Sequence, residues 1–143
     1  MKPMFLNALR RNASVVATAV LMGTALPALA YDVTSTAAIN VDANGVILRG
    51  VDATSYAAGG APVAGSADFA AEMDGATYLF ASAEARDSFV AAPATFEPAF
   101  GGFCATGAAL GKKLDGDPAV FRNFEGKLYL FVSEDAVALW DKD

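Results

Sequence analysis

The chain of 143 residues has no histidine and a single cysteine, Cys104. Without histidine it lacks the usual general base near neutral pH, the commonest metal ligand, and every Ser/His/Asp or Cys/His catalytic pair. With one cysteine it cannot form an internal disulfide, so a hydrophobic core must hold the fold. We therefore expect no enzyme, and no cofactor is predicted.

Basic residues are also scarce. The chain carries 10 Lys and Arg against 16 Asp and Glu, and three of the basic residues lie before residue 31. Residues 31–143 therefore have 7 basic against 16 acidic side chains, a net charge of −9. Such a surface repels phosphate backbones and anionic headgroups, so neither nucleic acid nor a membrane surface is an expected partner.

The first thirty residues read as an export signal. Lys2, Arg10 and Arg11 precede an apolar run at residues 15–26, which is shorter than the roughly 20 residues that cross a bilayer. Ala28 and Ala30 give the small-x-small pattern of a signal peptidase site. The sequence predicts cleavage after Ala30 and a periplasmic or secreted bacterial protein. The general secretory route is favoured over the twin-arginine route, and an uncleaved anchor is the lesser alternative.

After this predicted signal peptide (1–30), we expect a lead-in at residues 31–45 and one domain at 46–143. Alternating apolar residues around Asp-Gly and Glu-Gly steps predict two hairpins, at residues 69–80 and 120–132. Ser82 and Ser133 are predicted N-caps of the helices that follow, and a short helical piece is expected at 103–110. The last helix is predicted from Glu134 to about Trp140, with Val137 and Trp140 facing inward. No internal repeat is evident. The predicted fold is a small α+β domain with antiparallel hairpins, each followed by a short helix.

From Gly50 onwards the sequence resembles the YHS-domain family in its secreted bacterial form. The resemblance rests on VDATSYAAGGAPVAGSADFAAEMDGATYLFASAEARDSF, FEPAFGGFCATGAALGKK, GDPAVF and EGKLYLFVSEDAVALW. It implies a YHS-like fold in an exported protein. Shorter YHS domains occur in metal-handling proteins, where cysteines are the proposed metal ligands.

The chain departs from that metal-handling pattern at its cysteines. Ser55, Ala81 and Ala85 stand where those relatives have cysteine, whereas Asp52 and Arg86 match the family. The resemblance therefore carries over no metal site.

Cys104 has two interpretations. It could be a reactive thiolate or ligand contact, because the paired glycines before it allow a tight turn and a helix follows. The blander interpretation is a small buried apolar residue among alanines, which the sequence favours.

Asp52 and Tyr56 lie four residues apart, so one short helical turn would place both on one face. They could line a ligand pocket with Arg86. The alternative is that Asp52 caps the turn and Tyr56 packs in the core.

Asp115 and Asp117 lack the further ligands of a calcium loop, so a turn is expected there.

The sequence thus favours a non-enzymatic binding module for a small ligand or metal-associated species, with a tentative site at Cys104, Asp52, Tyr56 and Arg86. One alternative is a structural or protein-interaction module without a ligand. A second is copper handling through Cys104 in a dimer. A concave polar pocket beside Cys104 would favour the ligand, and an apolar patch would favour a protein partner. Nine aromatic residues are predicted to be core: Tyr78, Phe80, Phe89, Phe96, Phe121, Phe124, Tyr129, Phe131 and Trp140.

Overall fold

The computed structural model describes residues 35–142. The predicted signal peptide, with Ala28 and Ala30, lies outside the described residues. Within 35–142 the chain forms four strands, four α-helices and three 3₁₀ segments, in this order: 3₁₀ Leu48–Gly50, 3₁₀ Ala53–Gly59, β1 Ser66–Met73, β2 Ala76–Phe80, α1 Ala83–Ala91, α2 Pro93–Phe96, 3₁₀ Ala99–Gly102, α3 Ala105–Ala109, β3 Asp117–Phe124, β4 Lys127–Phe131 and α4 Glu134–Trp140. This is the predicted α+β domain of hairpins followed by helices.

The first hairpin forms for the reason that the sequence suggests. Asp74 and Gly75 both have positive φ, +51° and +82°, as a type I′ turn between β1 and β2 requires. Ser82 then caps α1, because its hydroxyl accepts a hydrogen bond from Ala85 N at 3.1 Å. Pro93 opens α2 directly after α1 ends at Ala91.

The second hairpin repeats the first. Its turn residues Glu125 and Gly126 also have positive φ, and Ser133 caps α4. Each pair in the β3–β4 ladder lies 51 residues after its counterpart in β1–β2: Asp117 faces Phe131 as Ser66 faces Phe80. Both ladders shift register directly after this first pair. The expectation of no internal repeat was therefore wrong.

The segments before the hairpins follow the same plan. Asp52 N donates to Val63 O at 2.8 Å, and Cys104 N donates to Leu114 O at 2.8 Å. Cys104 lies 52 positions after Asp52 and Leu114 lies 51 positions after Val63, so the second unit has one residue fewer between the cap and the segment before the hairpin. We call residues 46–96 the first unit and residues 97–142 the second unit.

A glycine precedes each hairpin, because a side chain at that position would collide with the second strand of the hairpin. A Cβ on Gly65 would lie 2.4 Å from the carbonyl carbon of Leu79. A Cβ on Gly116, 51 residues later, would lie 2.6 Å from Cβ of Leu130, and Leu130 is the counterpart of Leu79. Both distances are shorter than real Cβ contacts, so each site requires glycine.

The two units have separate sheets, and the buried side chains form two clusters. β1 and β2 form one two-stranded sheet, and β3 and β4 form another. One buried cluster is centred on the first unit and extends to Leu128 and Leu130 of β4. A smaller cluster, containing Cys104 and Phe131, belongs to the second unit. The described part of the lead-in reaches this domain, because Asn40 N donates to Gly101 O at 2.8 Å.

Candidate functional site

Asp52 is a buried cap. Its side chain is the N-cap of the 3₁₀ helix Ala53–Gly59, and the residue is 2% exposed. One carboxylate oxygen accepts from Thr54 N at 2.8 Å and from the Thr54 hydroxyl at 2.7 Å. The other accepts from Ala81 N at 2.9 Å, which ties this helix to the end of β2. These bonds engage both carboxylate oxygens.

Tyr56 is a buried link between the units. Its hydroxyl donates to Pro118 O at 2.8 Å, and Asn123 Nδ2 donates to Tyr56 O at 2.8 Å. The ring packs edge-on against Phe121, with 4.9 Å between centroids. Burial raises the pKa of the Tyr56 phenol well above its ordinary value, and the negative charge of Asp117 raises it further.

Arg86 lies apart from these groups. Its guanidinium pairs with the neighbouring Asp87, with Nη2 to Oδ1 at 3.0 Å, and both side chains reach solvent. An exposed pair of this kind contributes little to stability. Asp52 and Tyr56 thus share a helix as predicted, but their polar atoms point to different backbone partners, and Arg86 pairs with neither.

Cys104 is fully buried in the core of the second unit. Its sulfur is the N-cap of α3 and accepts from Gly107 N at 3.5 Å. The residues around it are apolar and include Phe131, Ala136 and Val137. This environment fits the interpretation as a small buried residue. Within residues 35–142, no three acidic or thiol side chains are grouped so that they could hold a metal ion.

A groove of about 650 Å³ lies on the surface of the second unit, between α3 and α4. Ala109 and Leu110 line one wall, Leu139, Trp140 and Asp141 line the other, and Phe124 lies at the end of β3.

Three large apolar side chains are exposed in this groove. Leu110 is 66% exposed, Phe124 is 53% exposed and Leu139 is 54% exposed. The prediction that Phe124 belongs to the core was wrong, and Trp140, expected to face inward, is only half-buried. Scattered apolar residues at a surface are ordinary, but several in one concavity are typical of a binding surface.

The sequence contains a weak signal for this groove. Ala136, Val137 and Trp140 follow the inward stripe of α4, and Leu139 falls off that stripe. Leu110 stands directly before Gly111, where a short helix ends. Each is unremarkable alone, and only the approach of α3 to α4 brings them together.

A second cavity of about 330 Å³ lies by the first unit. Tyr56 and Ala57 of the 3₁₀ helix Ala53–Gly59 line it together with Phe96 of α2 and Asn123 of β3. Of the four predicted site residues, only Tyr56 borders either cavity, and its hydroxyl is already bonded to Pro118. The two cavities therefore do not unite the predicted site.

Comparison with known proteins gives no relative: no protein-family model, curated protein or solved structure matches the chain. Among the helices of residues 35–142, none has the length and apolar character needed to span a bilayer.

Proposed function

We propose that this protein is an exported, non-enzymatic binding module of the YHS type that binds an apolar surface of another protein. The YHS assignment rests on the sequence resemblance from Gly50 onwards, and export rests on the signal pattern before Tyr31. The lack of histidine supports a binding role over a catalytic one.

The observation that carries the proposal is the groove between α3 and α4. Its exposed apolar residues Leu110, Phe124 and Leu139 form the patch that a protein partner would cover. Cys104, by contrast, is fully buried and lines neither of the two cavities described above. This contrast favours the protein-interaction alternative over a small polar ligand or a metal-associated species.

A small apolar molecule is the second candidate. The groove volume of about 650 Å³ lies within the range of small-molecule sites, about 300–1,000 Å³. Its open shape and scarcity of polar groups give such a ligand little to orient it, so a protein segment is the better occupant.

Binding at the groove can be tested with Nile red, a neutral apolar dye. Trp140 lines the groove and is the only tryptophan in the chain, so its emission reports on this one place. We expect the dye to bind the wild type and to quench Trp140, and Leu139→Glu to weaken this binding at least about tenfold, because a charge then lies in the apolar contact.

Val90→Glu is the matched control. Val90 is 55% exposed, like Leu139, but it lies on α1, away from the groove. It should bind dye as the wild type does. Equal binding by the Leu139→Glu protein, with an unchanged circular dichroism spectrum, would contradict the groove as the binding surface.

A further inference from the structure

The two units build the same aromatic cluster. In the first unit, Phe89 of α1 lies with its ring centroid 4.5 Å from that of Tyr78 and 5.1 Å from that of Phe80. All three side chains are buried.

In the second unit, Trp140 of α4 takes the place of Phe89. Its ring lies 5.0 Å from that of Tyr129 and 5.6 Å from that of Phe131. Each of these three residues stands 51 positions after its counterpart, so the clusters correspond residue by residue.

The units differ in what covers this cluster. In the first unit, α2 follows α1 at once and contacts both α1 and the 3₁₀ helix Ala53–Gly59. Phe96, at the end of α2, packs against the core, with its ring 6.5 Å from that of Phe89. The Ala53–Gly59 helix is the counterpart of α3, so α2 lies across the junction that corresponds to the groove.

Exposure reflects this difference. Phe89 is fully buried, whereas its counterpart Trp140 is half-buried. Met73, at the end of β1, is half-buried, whereas its counterpart Phe124 is 53% exposed. The second unit thus presents the place where the first unit holds α2, and no described residue fills it.

We infer that the groove between α3 and α4 is the docking site for a partner protein that presents a short helical turn ending in an aromatic side chain and flanked by basic residues. The inference rests on the proposed function and specifies its partner. The intramolecular contact of α2 supplies the shape: Pro93 begins the turn and Phe96 ends it against the aromatic cluster.

Charge supplies the basic flanks. The chain after residue 30 has a net charge of −9. Beside the groove itself the charges are mixed, because Asp141 pairs with Arg122 at 3.3 Å and Lys142 follows Asp141 in the chain. The basic flanks are therefore inferred from the long-range field of the whole acidic chain, which attracts a basic segment and repels a second copy of the chain.

The test attaches the first unit's own turn to the second unit. Pro93 and Phe96 follow Phe89 by four and seven residues, so Pro-Ala-Thr-Phe-Glu-Pro added directly after Asp143 has the same spacing from Trp140. The matched control adds Pro-Ala-Thr-Ala-Glu-Pro. A tethered segment acts at an effective concentration on the order of millimolar, so a weak contact becomes measurable.

Quenching of Trp140 by acrylamide is the readout. We expect the quenching constant of the phenylalanine extension to be about half that of the alanine extension, since an aromatic ring covers on the order of 150 Å². The tethered emission should also move to shorter wavelength. Equal quenching of the two extended proteins would overturn the inference.

Free peptides test whether basic residues on either side of the aromatic turn strengthen binding. The wild type is titrated with acetylated Lys-Lys-Pro-Ala-Thr-Phe-Lys-Lys amide and with the same peptide carrying Glu for Lys. We expect the lysine peptide to bind at least about tenfold more tightly at low salt and the difference to shrink at high salt, because screening weakens charge attraction. Equal binding would overturn the basic flanks. Shielding of Trp140 that grows with protein concentration, without peptide, would assign the groove to a second copy instead.

The dye experiment keeps the two proposals distinguishable. If Nile red binds at the groove but neither the tethered nor the free aromatic turn does, the docking motif is wrong and the binding surface stands. If Nile red fails to bind there as well, the proposed function fails with it.

Discussion

Asp52 and Cys104 occupy the same place in the two units. Each is buried, each caps the short helix that follows, and each donates its own N–H to the segment that leads into a hairpin. In the first unit the cap is a carboxylate with three donors; in the second it is a sulfur with one. The equivalence gives the lone cysteine a structural role that its sequence context does not reveal.

Replacing Asp52 with alanine should destabilise the protein strongly. Thr54 N and Ala81 N, whose hydrogen bonds to Asp52 are partly buried, would lose their acceptor, and a donor left unpaired in a buried site costs about 1–3 kcal/mol. We expect the free energy of unfolding in urea to fall by about 2–4 kcal/mol. Asp42→Ala is the control, because Asp42 also accepts two backbone N–H bonds but is exposed. A loss no larger than that of Asp42→Ala would contradict the assigned role.

The thiol of Cys104 should be protected. Because the residue is fully buried, a thiol reagent should label the native protein slowly and the unfolded protein fast. Cys104→Ala should cost about 1 kcal/mol, and Cys104→Asp much more, because a carboxylate would be buried among Phe131 and Val137. In Cys104→Asp, the nearby Thr106 hydroxyl is not free to donate to the new carboxylate, because it already donates to Ala136 O. Rapid native labelling would show a working sulfur instead.

We also predict that the protein binds neither zinc nor copper tightly. The whole sequence offers one cysteine and no histidine, whereas a structural zinc site takes four ligands, usually sulfur or imidazole nitrogen. Copper bridging of two Cys104 residues in a dimer would require a buried sulfur to reach the surface. Calorimetric titration of the wild type and Cys104→Ser provides the check. Stoichiometric, sub-micromolar copper or zinc that is lost in the variant would reverse the prediction.

Stability should fall at alkaline pH through Tyr56. Burial raises the pKa of Tyr56, so above the ordinary tyrosine pKa of about 10 the unfolded chain loses a proton that the folded protein keeps. The stability that the protonated Tyr56 contributes is complete below that pH, and it is lost as the pH rises towards the pKa of Tyr56 in the folded protein. Tyr56→Phe should reduce the slope of unfolding free energy against pH by up to about 1.4 kcal/mol per pH unit. The pKa of Tyr78 is raised by burial and then by Glu97 and Asp74, so a residual slope should persist.

The local elements could be predicted because their signals are local. The type I′ turn at Asp74-Gly75 needs only two residues with positive φ, and the cap at Ser133 needs only the next turn of helix. α4 begins and ends at the predicted residues, Glu134 and Trp140. The repeat also has a sequence signal, because Tyr78-Leu79-Phe80 recurs as Tyr129-Leu130-Phe131, and Ser82 recurs as Ser133. Outside this stretch few equivalent residues are identical, and there the units share mainly their geometry.

The candidate groove could not be predicted in the same way. Its walls come from α3, α4 and the end of β3, which only the tertiary fold brings together. The sequence instead pointed to Cys104, because it is the single cysteine. The number of cysteines in a sequence does not indicate whether a given one is buried. The pattern gave correct local roles to Asp52 as a cap and Tyr56 as a packed side chain, but the surface that is open to a partner lies elsewhere.

The bonds of Tyr56 to the second unit have a consequence for the order of folding. Each hairpin closes over a two-residue turn, whereas the bonds of Tyr56 with Pro118 and Asn123 join residues 62 and 67 positions apart. Closing so long a loop has a larger entropic cost and is slower than forming a hairpin. We therefore expect the hairpins to form before Tyr56 joins the two units, and the transition state to lack much of this contact. Weakening the contact should then accelerate unfolding and leave the folding rate nearly unchanged.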